Sequence, residues 1–456
     1  MQIKNKFSGE VIAEYPETKL EEVSKIIERS RRGFEEIRAM PHFQRYENLL
    51  NVAKVLNQDE STFSRIITEE SGKPIKYARR EVERASLTLL FSAEESKRIH
   101  GETVPMDVEE AGINRFAYYT REPKGQVLAI TPFNDPLNLV AHKLGPALAA
   151  GNSVINKPST MTPISAVNLR EAIIRSGFSE DAVQTIIATG GGRVTKSLLD
   201  SDEIRHVTFT GGIEAGKKLM ATGKIKKFSM ELGGNSPVIV WNDADLDTAA
   251  ASIVEGAFES QGQNCIRPQR VLIKDDVYDY LKNRISEISS KLTMGDPMNE
   301  ETDIGPMISE QEASRVESEV KEAIQKGAAM ILGGEREGSF MKPTLLELSD
   351  TLSPIWRNEI FGPVLLLKRV GSFEEAIDLS NNVDYGLQAG IFTSDLDLAM
   401  TAVDRLEYGT VLINDTSNFR IDSMPFGGLK NSSIGREGIR FAMDEFMEMK
   451  LVIVKR

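Results

Sequence analysis

The sequence predicts an α/β protein built around a parallel, doubly wound sheet, and three observations carry that expectation. Between residues 126 and 223, four short apolar runs each lead into a helical pattern. Parallel neighbours need a crossover, usually helical, so strand-then-helix units in series imply a parallel sheet. Residues 17–101 are mostly helical in pattern, with amphipathic spacing in three stretches. At 456 residues, 40% of them hydrophobic, the chain outgrows one ordinary core, so two or three domains are expected.

The elements follow in chain order. "KLEEVSKIIERSRRGFEEIR" places Leu20, Val23, Ile26, Ile27 and Phe34 on one stripe, and "ENLLNVAKVL" and "STFSRIITEESGKP" repeat the spacing. "NRFAYYTREP", residues 114–123, is β-rich and ends on Pro123. Then "QVLAITPFN" leads into "PLNLVAHKLGPALAAG", "NSVINKPST" into "PISAVNLREAIIRSG", "AVQTIIATGGG" into "RVTKSLLDS", and "RHVTFTGG" into "IEAGKKLMATG". Ligands of such sheets sit beyond the carboxyl ends of the strands. Those ends carry Thr131, Pro132, Phe133 and Asn134, then Lys157 to Thr160 with Ser159 between, glycines 190–192 including Gly191, and Thr210, Gly211 and Gly212. Amide, ammonium, hydroxyls and bare backbone suit a nucleotide with phosphates. The fingerprint GxGxxG is absent, so no single glycine run carries this reading. "MELGGNSPVIVW" opens a second α/β region. Leu246, Ala250, Ile253, Ala257 and Phe258 predict a helix running to about Ser260. Strands and helices alternate onward through "QRVLI", "PVLLLKRV", "AGIFTS" and "TVLIND", and "KLVIVK" closes the chain as a strand in need of a partner.

Composition excludes several classes. The 68 acids against 55 Lys and Arg give a net charge of −13, unfavourable for a polyphosphate backbone, so no nucleic-acid partner is expected. One cysteine and four scattered histidines (His42, His100, His142, His206) offer no metal-ligand spacing, so no metal is expected. With no apolar leader and no run of about 18 uncharged apolar residues, the expectation is a cytoplasmic enzyme without a membrane partner.

The one cysteine stands in "SQGQNC" as Cys265. A lone cysteine is most often a small buried hydrophobe, but here glutamines, a glycine and an asparagine precede it. Arg267 and Arg270 follow it, and are expected to favour the thiolate, the form that attacks. Glu231 closes the apolar run "FSM". There it is either paired with a neighbouring lysine or tuned by burial to act as a general base.

At these residues the chain resembles the aldehyde dehydrogenase superfamily. "TPFNDPLN", "NKPST", "FTGG", "MELGGNSP", "GQNC", "NEIFGPV" and "PFGGLKNSSIGREG" occur in that family's order across nearly the whole chain. The resemblance implies that Cys265 attacks an aldehyde carbonyl, that Asn134 and the Cys265 N–H hold the oxyanion, and that Glu231 activates water. Glu359 and Phe361 would position the nicotinamide ribose and ring, and Lys157 the adenosine ribose; Thr131, Pro132, Phe133, Ser159, Gly191, Thr210, Gly211 and Leu232 complete the expected cofactor set. Two positions depart from the family. Thr160 stands where many NAD-preferring relatives carry a glutamate, which implies NADP preferred over NAD. Gly212 stands where a serine often reaches a diphosphate oxygen.

"INDTSNFRIDSMPFGG" resembles lactaldehyde and glyceraldehyde dehydrogenases. A short polar 2-hydroxyaldehyde of the lactaldehyde or glyceraldehyde type is therefore the expected substrate, with Arg267, Arg420 and Phe426 as candidate contacts. Succinate semialdehyde is the runner-up, and a CoA-acylating enzyme the nearest rival. The implied architecture is a Rossmann-type nucleotide-binding domain over 1–104 and 124–233, a catalytic domain over 234–430, and β oligomerisation strands over 105–123 and 445–456, giving a homodimer or homotetramer.

Overall fold

A computed structural model describes residues 1–189, 192–221 and 224–456. Five strands, Val183–Thr185, Ser153–Lys157, Gln126–Ile130, Ile204–Thr210 and Lys227–Glu231, lie side by side in that spatial order and all run parallel. The chain enters at the middle strand, winds outward one way and then returns to wind the other. The strand order therefore reverses between Gln126–Ile130 and Ile204–Thr210, where a crevice opens for a ligand. A two-residue strand, Ser433–Ile434, adds antiparallel to Glu231 and Met230 and brings the C-terminal part of the chain to this edge.

Both faces of the sheet are covered. The helix Asn138–Ala149 is buried along its whole length, under the N-terminal helices His42–Gln58 and Ile75–Ser96. Val127, Ala129 and Val154 face that side, while Leu128, Ile130, Ile155 and Val207 face a second core with Leu198 and Phe209. The first helix, Val23–Ala39, differs from its predicted stripe. Leu20 lies outside it and is 45% exposed. The buried face includes Ser30 and Gly33 instead, because the helix passes so close to the 181–182 backbone that a Cβ on Gly33 would stand 2.2 Å from the Asp181 carbonyl carbon.

A second sheet of seven strands contains Ser236–Val240, Pro268–Lys274, Val364–Val370, Thr344–Glu347, Gln388–Phe392 and Thr410–Ile413, all parallel, with Ala329–Leu332 antiparallel at one edge. The helix Leu246–Phe258 packs on one face through Ala250, Ile253 and Ala257; Asp245 caps it by accepting from the Thr248 N–H. The third sheet joins Arg115–Pro123 to Met447–Lys455 over nine antiparallel pairs, with Thr103–Val104 on its far side. Among the described residues, no helix is long and apolar enough to cross a membrane.

Candidate active site

The site forms where the carboxyl ends of the first sheet meet the amino ends of the second. Glu231 ends its strand, and three residues later Gly234 runs against the backbone of Cys265: a Cβ there would stand 1.9 Å from the Cys265 carbonyl oxygen. Only glycine permits that approach. Cys265 itself precedes the strand Pro268–Lys274.

The loop carrying the sulfur is less polar than its composition predicts. After Phe258 the backbone takes three successive left-handed residues, Ser260 (φ 51°), Gln261 (φ 59°) and Gly262 (φ 66°). Two of these are not glycine, a conformation that persists only where the surroundings hold it. Two buried glutamines do so. Gln261 Nε2 donates to the Gly72 carbonyl at 2.7 Å, and Gln263 Oε1 accepts from the Ile308 N–H at 3.1 Å. The glutamines thus moor the loop, and Cys265 turns toward a cavity of about 240 Å³ that also meets Asn134, Arg420 and Phe426.

The electrostatics correct one expectation. Burial pushes the Cys265 thiol up, and the carboxylates Glu359 and Glu231 add to that, with Arg420 acting the other way. Arg267 and Arg270 do not serve the sulfur. Arg267 is 2% exposed, donates to the carbonyls of Pro268 and Val364 and to Gln269, and does not line the cavity. Arg270 donates to the carbonyls of Leu379, Asn235 and Ser380 and to the Tyr408 hydroxyl. Both guanidiniums satisfy buried backbone, so Arg267 is withdrawn as a substrate contact.

Glu231 is 4% exposed and its Oε2 has no hydrogen-bond partner. Burial raises its carboxyl well above the ordinary range, and the neighbouring carboxylate Glu437 raises it further. Glu437 is the opposite case. Burial would raise it, but Lys143 at 3.0 Å and Arg420 at 3.0 Å outweigh that and hold it at about 2. Two neighbouring acids driven apart in this way fit one ionised partner and one proton carrier. Arg420 also lies over the Phe426 ring, 3.7 Å from its centroid.

A charge network continues behind Asn134. Lys73 bridges Glu81 and Asp135. Glu81 accepts from the N–H groups of Leu137 and Asn138 at 2.8 and 3.1 Å, closing the start of the following helix. Arg84 pairs with Asp135 and Asp422, and Asp422 with His142 at 2.7 Å. Sequence reasoning missed Lys73, Glu81, Arg84, Asp135, Lys143, Asp422 and Glu437. One signal was present: Lys143 and His142 sit inside the apolar run "PLNLVAHKLGPALAAG", where polar side chains are costly without partners.

The cofactor candidates lie at the crevice. The hydroxyls of Thr131 and Thr210 are buried without hydrogen-bond partners. Lys157 is 5% exposed and burial alone lowers its ammonium. Ser159 Oγ accepts from the Met161 N–H, Thr160 is half-buried beside it, and the Leu232 N–H donates to the Ser432 carbonyl. Gly211 N–H donates to the Glu231 carbonyl at 3.0 Å, whereas a Cβ on Gly212 would meet nothing within 4 Å. Pro132 is half-buried between Thr131 and Phe133. Phe133 and Phe361 meet edge to face with centroids 5.8 Å apart, Phe361 in a left-handed conformation (φ 50°). Glu359 accepts from the Gly234 N–H at 3.1 Å, and burial pushes its carboxyl up to about 7. Gly191 lies outside the described residues. Orphaned hydroxyls, an uncompensated ammonium and open glycine backbone at a switch point are the donor set a dinucleotide would satisfy. Among the described residues no cluster of His, Cys, Asp and Glu could hold a metal ion.

Comparison with known proteins agrees. The model of the aldehyde dehydrogenase family matches residues 1–452. The chain is 45% identical to aspartate-semialdehyde dehydrogenase 1 of Pseudomonas canavaninivorans, covering 99% of this chain and 96% of that one. It is 39% identical to lactaldehyde dehydrogenase of Methanococcus aeolicus, covering 100% and 97%. A crystal structure of glyceraldehyde-3-phosphate dehydrogenase from Methanocaldococcus jannaschii, complexed with NADP, superposes with a TM-score of 0.96 at 35% identity, covering 100% and 99%.

Proposed function

The chain belongs to the aldehyde dehydrogenase family, and from that premise we propose that it oxidises a short polar aldehyde to its carboxylic acid with NADP preferred over NAD. One aldehyde, one water and one oxidised cofactor yield one acid, one reduced cofactor and one proton. The supporting observation is that Cys265, Asn134 and Arg420 face one cavity, while Glu231 is buried beside the Arg420–Glu437 pair.

The Cys265 thiol first loses the proton that the overall reaction releases, and its thiolate adds to the carbonyl carbon to form a thiohemiacetal, whose oxyanion accepts hydrogen bonds from the Asn134 amide and the Cys265 N–H. When bound, the nicotinamide supplies the hydride acceptor. Phe361, backed by Phe133, would position its ring, Glu359 would meet its ribose, and Lys157 with Ser159 and Thr160 the adenosine ribose. Thr131, Thr210, Gly211 and Gly212 would face the diphosphate, with Leu232 lining the nicotinamide side. Glu231 then takes a proton from water, which attacks the thioester and frees the acid. A carboxylate so placed favours hydrolysis over acyl transfer to CoA.

Arg420 and Phe426 are the proposed substrate contacts, and the lactaldehyde and aspartate-semialdehyde relatives support a short polar chain. Succinate semialdehyde is the alternative. The test is an aldehyde panel run with both cofactors, reading free acid in the absence of CoA. Arg420→Ala should raise KM by about tenfold for polar or anionic aldehydes and far less for propanal; an equal rise for propanal removes Arg420 from recognition.

The proposed domains are 1–104 with 124–233 for nucleotide binding, 234–430 for catalysis, and 105–123 with 445–456 for assembly. The strand Met447–Lys455 exposes Met449, Leu451 and Ile453 along an unpaired edge, which supports a homodimer or homotetramer. A cytoplasmic location completes the proposal.

A further inference from the structure

The cavity at Cys265 is lined by four cations, Lys73, Arg80, Arg84 and Arg420, and four carboxylates, Glu81, Asp135, Glu255 and Glu259. Most answer one another. Lys73 joins Glu81 and Asp135, Glu81 also holds two backbone N–H groups, and Arg84 donates to Asp422 at 2.9 Å.

Arg80 and Glu255 are exposed and meet solvent, which leaves two less exposed groups short. Arg420 gives one Nη to Glu437, but its Nε is buried without a partner, on a side chain only 7% exposed. Glu259 lines the wall six residues before the nucleophile, 22% exposed. Its ion-pair partner Arg80 stands off at 3.7 Å, and among the described residues no hydrogen bond reaches its carboxylate. Glu255, 3.5 Å from the same Arg80, adds a second negative charge to that wall. Both groups line the same cavity. Arg420 is among the charges that act on the Cys265 thiol, whereas Glu259 is surrounded by Arg80, Asp135, Lys73 and Glu255.

A neutral hydroxyaldehyde would leave both groups unanswered. A purely anionic aldehyde would satisfy Arg420 but meet two repelling carboxylates, since like charges in a cleft act against the wrong ligand. We propose that the substrate is a short-chain aldehyde carrying a carboxylate and an ammonium on one carbon, an α-amino acid semialdehyde, with its carboxylate on Arg420 and its ammonium on Glu259. The inference rests on the reading that Cys265 attacks an aldehyde in this cavity. It adds the cationic half of the ligand, for which Glu259 is the specificity-determining residue.

The probes are L-aspartate 4-semialdehyde and succinate semialdehyde, which share chain length and carboxylate and differ by the ammonium, with propanal as the plain aldehyde. Wild-type protein should show the higher kcat/KM for aspartate semialdehyde. Glu259→Gln should lower the ratio of the two kcat/KM values by about tenfold or more, the worth of one charge-assisted hydrogen bond, and Glu259→Asp should keep most of it. Because the two substrates report on the same folded molecules, partial misfolding cancels in the ratio. A wild-type preference for succinate semialdehyde, or an unchanged ratio in Glu259→Gln, overturns the inference while leaving aldehyde oxidation intact. If propanal also yields no reduced cofactor, the underlying reading falls and takes this inference with it.

Discussion

The crevice of the first sheet and the cavity at Cys265 meet at Asn134, yet they are built by opposite rules. The crevice offers neutral hydroxyls, glycine backbone and one ammonium, with the polar atoms of Thr131 and Thr210 left without partners. Behind the cavity, Lys73, Glu81, Asp135, Arg84, Asp422 and His142 form a continuous charge network. The hydroxyls of the crevice are completed by a ligand, whereas the network around the cavity is paired beforehand and leaves only Arg420 and Glu259 for a ligand to answer. A buried group that waits for a ligand costs stability while empty. A buried charge pair is most costly when one partner is removed and the other is stranded.

The contrast is broken most directly at Lys73. Lys73→Met strands Glu81 and Asp135, and the expected loss is about 3–5 kcal/mol, read from the urea midpoint at constant slope. Thr210→Val in the crevice, by contrast, should leave that midpoint near the parent value and raise only the KM for cofactor. A smaller loss at Lys73 than at Thr210 would erase the distinction.

Thr160→Glu sharpens it from the ligand side. A carboxylate facing the 2′-phosphate should lower kcat/KM for NADP relative to NAD by about 10–100-fold, with stability unaffected. Next in size is a pH effect. Burial first, then Glu437, raises the Glu231 carboxyl well above the ordinary carboxylate range, and the base form is the one that works. Thioester hydrolysis should therefore accelerate as pH rises, with its limb above the ordinary carboxylate range. Removing the like charge with Glu437→Gln lowers the Glu231 pKa, so this limb should move to lower pH; a shift to higher pH would contradict the coupling. The smallest effect is expected at Gly212. Open space surrounds a Cβ there, so Gly212→Ser should change stability by less than about 0.5 kcal/mol and tighten the cofactor by a few-fold at most.

The elements of the first sheet could be read in advance because a buried parallel strand is a continuous apolar run and its crossover helix has its own period. Leu20 could not, since its helix is seated by the close pass of Gly33 against residues 181–182. The helix Glu310–Gln325 went unread although Ser309 accepts from the Glu312 N–H, a start signal visible as Ser-x-x-Glu. In the site, residue type announced the nucleophile and the base, but partners did not follow from type. Lys143 finds Glu437 at a separation of 294 residues and His142 finds Asp422 at 280. The arginines next to Cys265 in sequence turned inward to carbonyls, while the one that reaches the thiol's surroundings comes from residue 420. Nearness along the chain is a poor guide to electrostatics where a buried β-strand begins, as at Pro268.

The mooring of Gln261 to the carbonyl of Gly72 has a practical side. The first hundred residues look like packaging around a self-sufficient nucleotide fold, and a dissection strategy would discard them. Doing so would untether the sulfur's loop from 189 residues away and strip the cover from the helix Asn138–Ala149, so one cut would cost both the nucleophile's seat and the core under the crevice.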